Sequence, residues 1–272
     1  MPTATSEDRY CRFCGASDVM TVSAWPDWAT RLVASGMAVE HRAPVVEKVR
    51  NRILDRFPHG DLADEFIATR KLHVACTRCH HGWMSRIDAM ARPMALPLIK
   101  GAPAILAPKI QSALAAWITK TVMIAELASI DGPVTPQSDR TQMQKTSHPP
   151  KSWRIWAAHH AAPKCEARYV RHTASLGTAS PMARKRPAAN NTQSVTFGIG
   201  RILFHVMTST VPGMKFELPF DAANTFRMLW PAGNTLAWPP QQSLRDHEME
   251  AFTSAFDRDF GAPEVELVRA MG

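Results

Sequence analysis

The chain has 272 residues, 45% of them hydrophobic, and a formal net charge of +8. That is enough material for a sizeable core, arranged as one large domain or two smaller units sharing an interface. Five cysteines are too few for a disulfide-stapled secreted scaffold, and the longest apolar stretch, 107–130, is broken by Lys109, Lys120 and Glu126, which a bilayer core penalises heavily.

The opening residues, MPTATSEDRY, have neither a basic start nor an apolar run. They read as neither a secretory signal nor a transit peptide, so a cytoplasmic location without a membrane partner is expected. The positive charge is concentrated in 139–186, where ten Lys or Arg face two acidic residues, a local excess equal to that of the whole chain. Such a stretch either collects phosphate backbones or forms a solvated loop with a basic bias.

In chain order, CRFCGAS within 10–22 suits a short hairpin with a knuckle at its tip. A helix is expected from Pro26-Asp27-Trp28, with Trp28, Leu32 and Val33 on one face and Gly36 near its end. Over 44–57, Val45, Val49, Ile53 and Phe57 recur at helical spacing, and 65–75 carries Phe66, Ile67, Leu72 and Val74 as one or two strands. Trp83, Met84, Ile87, Met90 and Met94 then mark a helix over 80–94, with Arg86 and Asp88 turned away from its packed face.

A long helix over 108–129 stops at Asp131-Gly132-Pro133. The polar, proline-bearing segment 135–150 reads as a loop or linker. Strands follow at 153–157 and 167–176, separated by His159, His160 and Pro163, and 177–191 is a basic loop containing Arg184, Lys185 and Arg186. Strand character returns over 194–211, 226–230 and around Trp238, before an amphipathic helix over 243–260 closes the pattern. The fold class is therefore α+β, with a front unit 1–130, a linker 131–150 and a sheet-rich rear unit 151–272.

Two C-x-x-C pairs, Cys11/Cys14 and Cys76/Cys79, have 61 residues between them. Two residues between cysteines let both thiolates face one ion from a tight turn, and two such turns complete a tetrahedron. The order of knuckle, strand, knuckle and helix is that of a treble clef holding structural zinc. A dithiol redox centre would need a single C-x-x-C in a βαβ setting, which is missing here. Four thiolates leave no open coordination position, so such an ion organises the fold and hydrolyses nothing. Cys165, the unpaired fifth, reads as a small buried thiol.

CRFCG, AWPDWA, CTRCHHGWMSRID and KTVMIAELA together resemble a bacterial and phage group of HNH endonuclease-like proteins, and LFHVM, RMLWPAG and LAWPP resemble the C-terminal halves of that group. The resemblance spans most of the chain and is strongest over 10–130. It implies a ββα treble clef in the front unit and a nucleic-acid partner, most naturally DNA. In that family an acidic residue followed by His precedes the segment that here reads Ala24-Trp25-Pro26. The matching positions are Val22, which has no lone pair for a metal at the acid position, and Ser23, whose hydroxyl is a poor base near neutral pH without a partner at the histidine position.

The expectation is thus a zinc-stabilised nucleic-acid binder that has lost ordinary nuclease chemistry. Phosphate contacts are assigned to Arg78 and Arg86 beside the second cysteine pair and to Arg184, Lys185 and Arg186. The family's third signature position falls on His80. An active Mg²⁺- or Mn²⁺-dependent endonuclease with its base relocated to His80 or His81 is the rival reading, and a protein-interaction module is a third. Consecutive His159 and His160 on a strand face opposite sides and are expected at the surface. Trp153, Trp156, Trp230 and Trp238 fit a sheet core better than a base-stacking platform.

Overall fold

The computed structural model describes residues 10–33, 37–41, 66–177 and 189–270. The helix expected over 44–57 and the cluster Arg184, Lys185 and Arg186 lie outside them. In chain order the elements are β1 (Val19–Val22), α1 (Asp27–Thr30), β2 (Met37–His41), β3 (Leu72–Cys76) and α2 (Thr77–Cys79). A π-type turn over His80–Met84 then leads into α3 (Ser85–Ile99), β4 (Ala104–Leu106), α4 (Pro108–Ala125) and α5 (Gln137–Thr146). The remainder is β5 (Arg154–His159), β6 (Ala167–Ala174), β7 (Thr192–Ile199), β8 (Ile202–Ser209), β9 (Arg227–Trp230), β10 (Leu236–Trp238), α6 (Asp246–Ser254), α7 (Asp257–Phe260) and β11 (Glu264–Ala270). Mixed α and β content with a sheet-rich C-terminal region agrees with the sequence reading.

A seven-stranded antiparallel sheet, ordered β2-β11-β6-β7-β8-β5-β9, forms the middle of the molecule. Because successive strand residues point to opposite faces, its alternation feeds two cores. Ile155, Tyr169, Val195, Phe197, Phe204 and Val206 belong to the larger one, which also takes in α3, α4 and the cysteine-bearing front. Trp156, Ala158, Leu203 and Met207 belong to the other, covered by Phe226, Phe252 and Phe256.

Helix α4 is the pivot between front and rear. Proline at its start fits the first turn, where its missing N–H costs nothing. Trp117 packs edge-on to Phe204 of the sheet, with centroids 5.9 Å apart, and tilted on Trp28 of the front at 5.4 Å. The helix is buried nearly all round, Lys120 included. Among the described residues no helix is long and apolar enough to cross a membrane.

The structure departs from the sequence reading in several places. Residues 137–146, expected as loop, form helix α5, because Arg140 and Met143 are buried partners for the rest of the fold despite an otherwise polar surface. The chain does not finish on a helix: 264–270 adds β11 between β2 and β6. Its EVELVRA pattern puts Glu264 and Glu266 on the buried side, which inverts the usual strand alternation.

Glu266 is paired with Arg70 and also accepts from the Ile67 amide at 2.6 Å. Asp88 does not turn away from the packed face but meets Lys120. His159 and His160 are buried, not superficial, the first held by Ser243 Oγ at 2.8 Å. Trp153, Trp156 and Trp238 are core residues, as expected.

Candidate metal centre

Strand pairing is what brings the two cysteine pairs together. β1 runs antiparallel to β3 with Val19 opposite Cys76 and Met20 opposite Ala75, so the end of β3 lies beside the loop that carries the first pair. That loop is closed locally. The Cys11 amide donates to Ala16 O at 2.7 Å and the Gly15 amide to Cys11 O at 2.9 Å, while the Arg12 amide crosses to Val74 O at 2.9 Å. Gly15 holds φ +76°, a left-handed conformation that favours glycine.

The four sulfur atoms of Cys11, Cys14, Cys76 and Cys79 all lie within 4.8 Å of one another. Cys14 Sγ and Cys76 Sγ are 3.5 Å apart, far longer than a disulfide bond, and all four residues are free thiols. The Cys79 amide points at Cys76 Sγ from 3.4 Å. Cys11, Cys76 and Cys79 are buried, and Phe13 and Trp83 close one side with rings 5.1 Å apart. Among the described residues this is the one group of three or more His, Cys, Asp or Glu that closes to metal-ligating distances.

The electrostatics of the bare thiols show why a cation suits them. Burial and the neighbouring thiols push Cys76 and Cys79 up. Cys14 goes the other way, to about 7. Burial opposes its ionisation, but hydrogen bonds from the Ala16 backbone, Cys76 and the Arg78 guanidinium outweigh it. Four packed thiols cannot all ionise without a compensating positive charge, and a metal ion supplies one. The site can therefore bind a metal ion.

No family model, curated protein or solved structure matches this chain. The roles of the residues around the centre rest on the geometry alone.

Downstream of Cys79 the chain makes the π-type turn, kinked at Gly82 (φ −89°, ψ −108°), before α3 begins. Just before this kink the His80 and His81 rings meet edge to face, with centroids 4.8 Å apart. His81 is exposed. Burial lowers the His80 pKa, and the His81 and Lys120 charges lower it further against the pull of Asp88 and Asp27. Val22 is buried, and the Ser23 hydroxyl donates to Trp25 O at 2.8 Å, a local turn contact.

Arg78, within the second cysteine turn, and Arg86, on α3, are both exposed, as is Arg92 further along α3, which sequence reading did not single out. The basic stretch 139–186 divides differently from its composition. Arg140, Arg168 and Arg171 are buried and engaged internally, whereas Lys145, Lys151 and Lys164 are exposed. Cys165 is buried beside Arg168, 3.7 Å from its guanidinium and apart from the other four thiols.

Proposed function

We propose that this chain is a zinc-stabilised, HNH-like nucleic-acid-binding protein that has lost ordinary nuclease chemistry, with DNA as its target. The observation that carries this reading is the convergence of four thiols from two distant stretches at the end of β3, with Arg78 beside the thiols and Arg86 exposed on the helix that follows. Zinc fits the donor set. A tetrahedron with Zn–S bonds of about 2.3 Å has edges of roughly 3.8 Å, within the 4.8 Å span of the four sulfur atoms. The succession of cysteine turn, β1/β3 pairing, second cysteine turn and helix supports a treble clef.

With four thiolates on the ion, a bound zinc has no place for a reactive water, and its contribution is structural. Val22 cannot replace the acidic ligand of the resembled family, and Ser23, whose hydroxyl donates to Trp25 O, is no substitute for its histidine base. Arg78 and Arg86 then act as phosphate contacts, and their affinity falls with salt as counterions are released.

Binding of duplex and single-stranded DNA by the purified protein, measured by fluorescence anisotropy over a salt series, tests this function. The expected result is salt-dependent binding, weakened by Arg78→Ala with Arg86→Ala, and no plasmid cleavage with Mg²⁺ or Mn²⁺. Cleavage abolished by His80→Ala would replace this reading with an active endonuclease, which the proximity of His80 to Asp88, Asp27 and Lys120 makes the second reading. Failure to retain DNA or RNA at low salt would leave a protein-interaction module.

A further inference from the structure

Beside the first cysteine turn lies a groove of about 650 Å³, in the range of ligand pockets. One wall is the turn itself, Cys11 to Gly15, with Tyr10 and Arg12. The other is helix α5, which contributes Gln137, Thr141, Gln144 and Lys145. These four stand at i, i+4, i+7 and i+8, one helical face. Arg140 and Met143 occupy the buried face of the same helix. Asp139, the one acidic residue of α5, accepts a hydrogen bond from Trp153 Nε1 at 3.1 Å and does not line the groove.

Among the described residues the lining holds two cations, two carboxamides, two hydroxyls and two aromatic rings, and no carboxylate. Tyr10 is 52% exposed, unusual for a large ring, and Lys145 is exposed. A basic groove with an aromatic platform and amide groups is the arrangement that takes single-stranded nucleic acid: cations follow the phosphates, the ring stacks a base, and the amides meet base edges. A duplex, with its bases turned inward, would leave the ring without a stacking partner.

From this we infer that the groove between the first cysteine turn and α5 binds single-stranded DNA, with a phosphate against Lys145 and a base on Tyr10. The inference rests on the nucleic-acid reading above and deepens it by naming a second contact surface, separate from Arg78 and Arg86. It also accounts for α5, a helix with little apolar surface whose outward side is uncharged apart from one lysine near its end.

The test uses the full-length, metal-loaded protein and fluorescein-labelled mixed-sequence DNA of about 20 nucleotides, longer than one such groove spans, both as a single strand and as a duplex. Tyr10→Ala is expected to weaken single-strand binding about fivefold or more, and Lys145→Gln to reduce the salt slope by about one. Metal content and far-UV circular dichroism confirm the fold of each variant. Should Tyr10→Ala disturb the adjacent Cys11, Lys145→Gln combined with Gln144→Ala decides the matter from the helix side. Single-strand binding unaffected by these variants, or binding of duplex alone, overturns this inference and leaves the proposed function standing. No binding of either DNA at low salt removes both.

Discussion

Lys120 Nζ lies 2.5 Å from Asp88 Oδ1, joining α4 to α3 inside the molecule. Burial raises the Asp88 pKa and lowers that of Lys120, and each charge offsets part of the other's penalty. The pair fixes how the helix leaving the cysteine centre sits on the central helix, and it lies close enough to His80 to affect its charge.

Breaking that pair from one side strands a buried charge. Lys120→Met is expected to cost about 3–5 kcal/mol, while Lys120→Met combined with Asp88→Leu recovers most of the loss, because buried ion pairs are often replaceable by apolar groups of similar volume. Urea unfolding of the single and double variants measures this. A double variant as unstable as the single would show that packing, not the stranded charge, sets the cost.

A similar argument applies to Glu126, whose carboxylate is wholly enclosed. It accepts from Arg140 and, through Oε2, from the Val134 amide at 3.0 Å, the Thr135 amide at 3.2 Å and Gln193 Nε2 at 2.9 Å. It thereby ends α4, anchors α5 and ties both to β7. Glu126→Ala leaves two backbone donors and Arg140 without their acceptor, and a loss above about 3 kcal/mol is expected. Thermal unfolding of this variant should begin well below wild type, whereas Glu217→Ala, an exposed site, should melt as wild type does.

The cysteine centre predicts a metal stoichiometry. Elemental analysis of the purified protein should find a single zinc ion per chain. Cys76→Ser should abolish it and lower the melting temperature, because the free energy of metal binding is part of the folding free energy of the domain. Cys165→Ser should keep both, since that thiol lies apart from the cluster. Zinc retained in full by Cys76→Ser would rule out the four-thiolate site.

Stability should also follow pH in a definite way. Burial depresses His205 to about 3 and His160 to about 4. The unfolded chain therefore takes up protons that the folded chain refuses, and stability falls as pH drops below the ordinary histidine value. Glu264 is pushed up to about 7 by burial, with the Glu266 charge adding to it. Its contribution is present below the ordinary carboxylate range and is lost as pH rises through about 7. These three groups together place the maximum near the ordinary histidine pKa. His205→Gln should reduce the slope on the acid side by about one proton, and Glu264→Gln should flatten the fall on the alkaline side, both read from urea midpoints across pH. An unchanged slope in His205→Gln would mean that the imidazole is charged in the folded state.

Several features were legible in the residues alone, because they depend on local chemistry. The C-x-x-C spacing identified the pairs that converge, the 108–129 pattern located the central helix, and the alternation over 194–211 marked strands that form the β7–β8 hairpin. The core placement of Trp153, Trp156 and Trp238 followed from their size and apolar surface. A residue's own volume and its periodicity carry that information.

The missed features depend on partners distant in sequence. Helix α5 has little apolar surface of its own and is held by Arg140 reaching Glu126 and by Met143 in the core. β11 hides Glu264 and Glu266 on its inner side, where alternation would place apolar residues; Ser129 donates to Glu264 Oε2 at 2.6 Å, and Arg70 pairs with Glu266. Asp88 and His160 read as surface residues until Lys120 and the back-face helices enclose them.

By itself, then, the sequence determined which cysteines pair up, where the long helix and the main strands run, and that the chain mixes the two. Tertiary structure alone decided which charges are buried, that α5 walls a groove beside the first cysteine turn, and that the His80 and His81 rings meet. Burying a charge is favourable only when its partner arrives, and that partner comes from another part of the chain, where no local pattern records it.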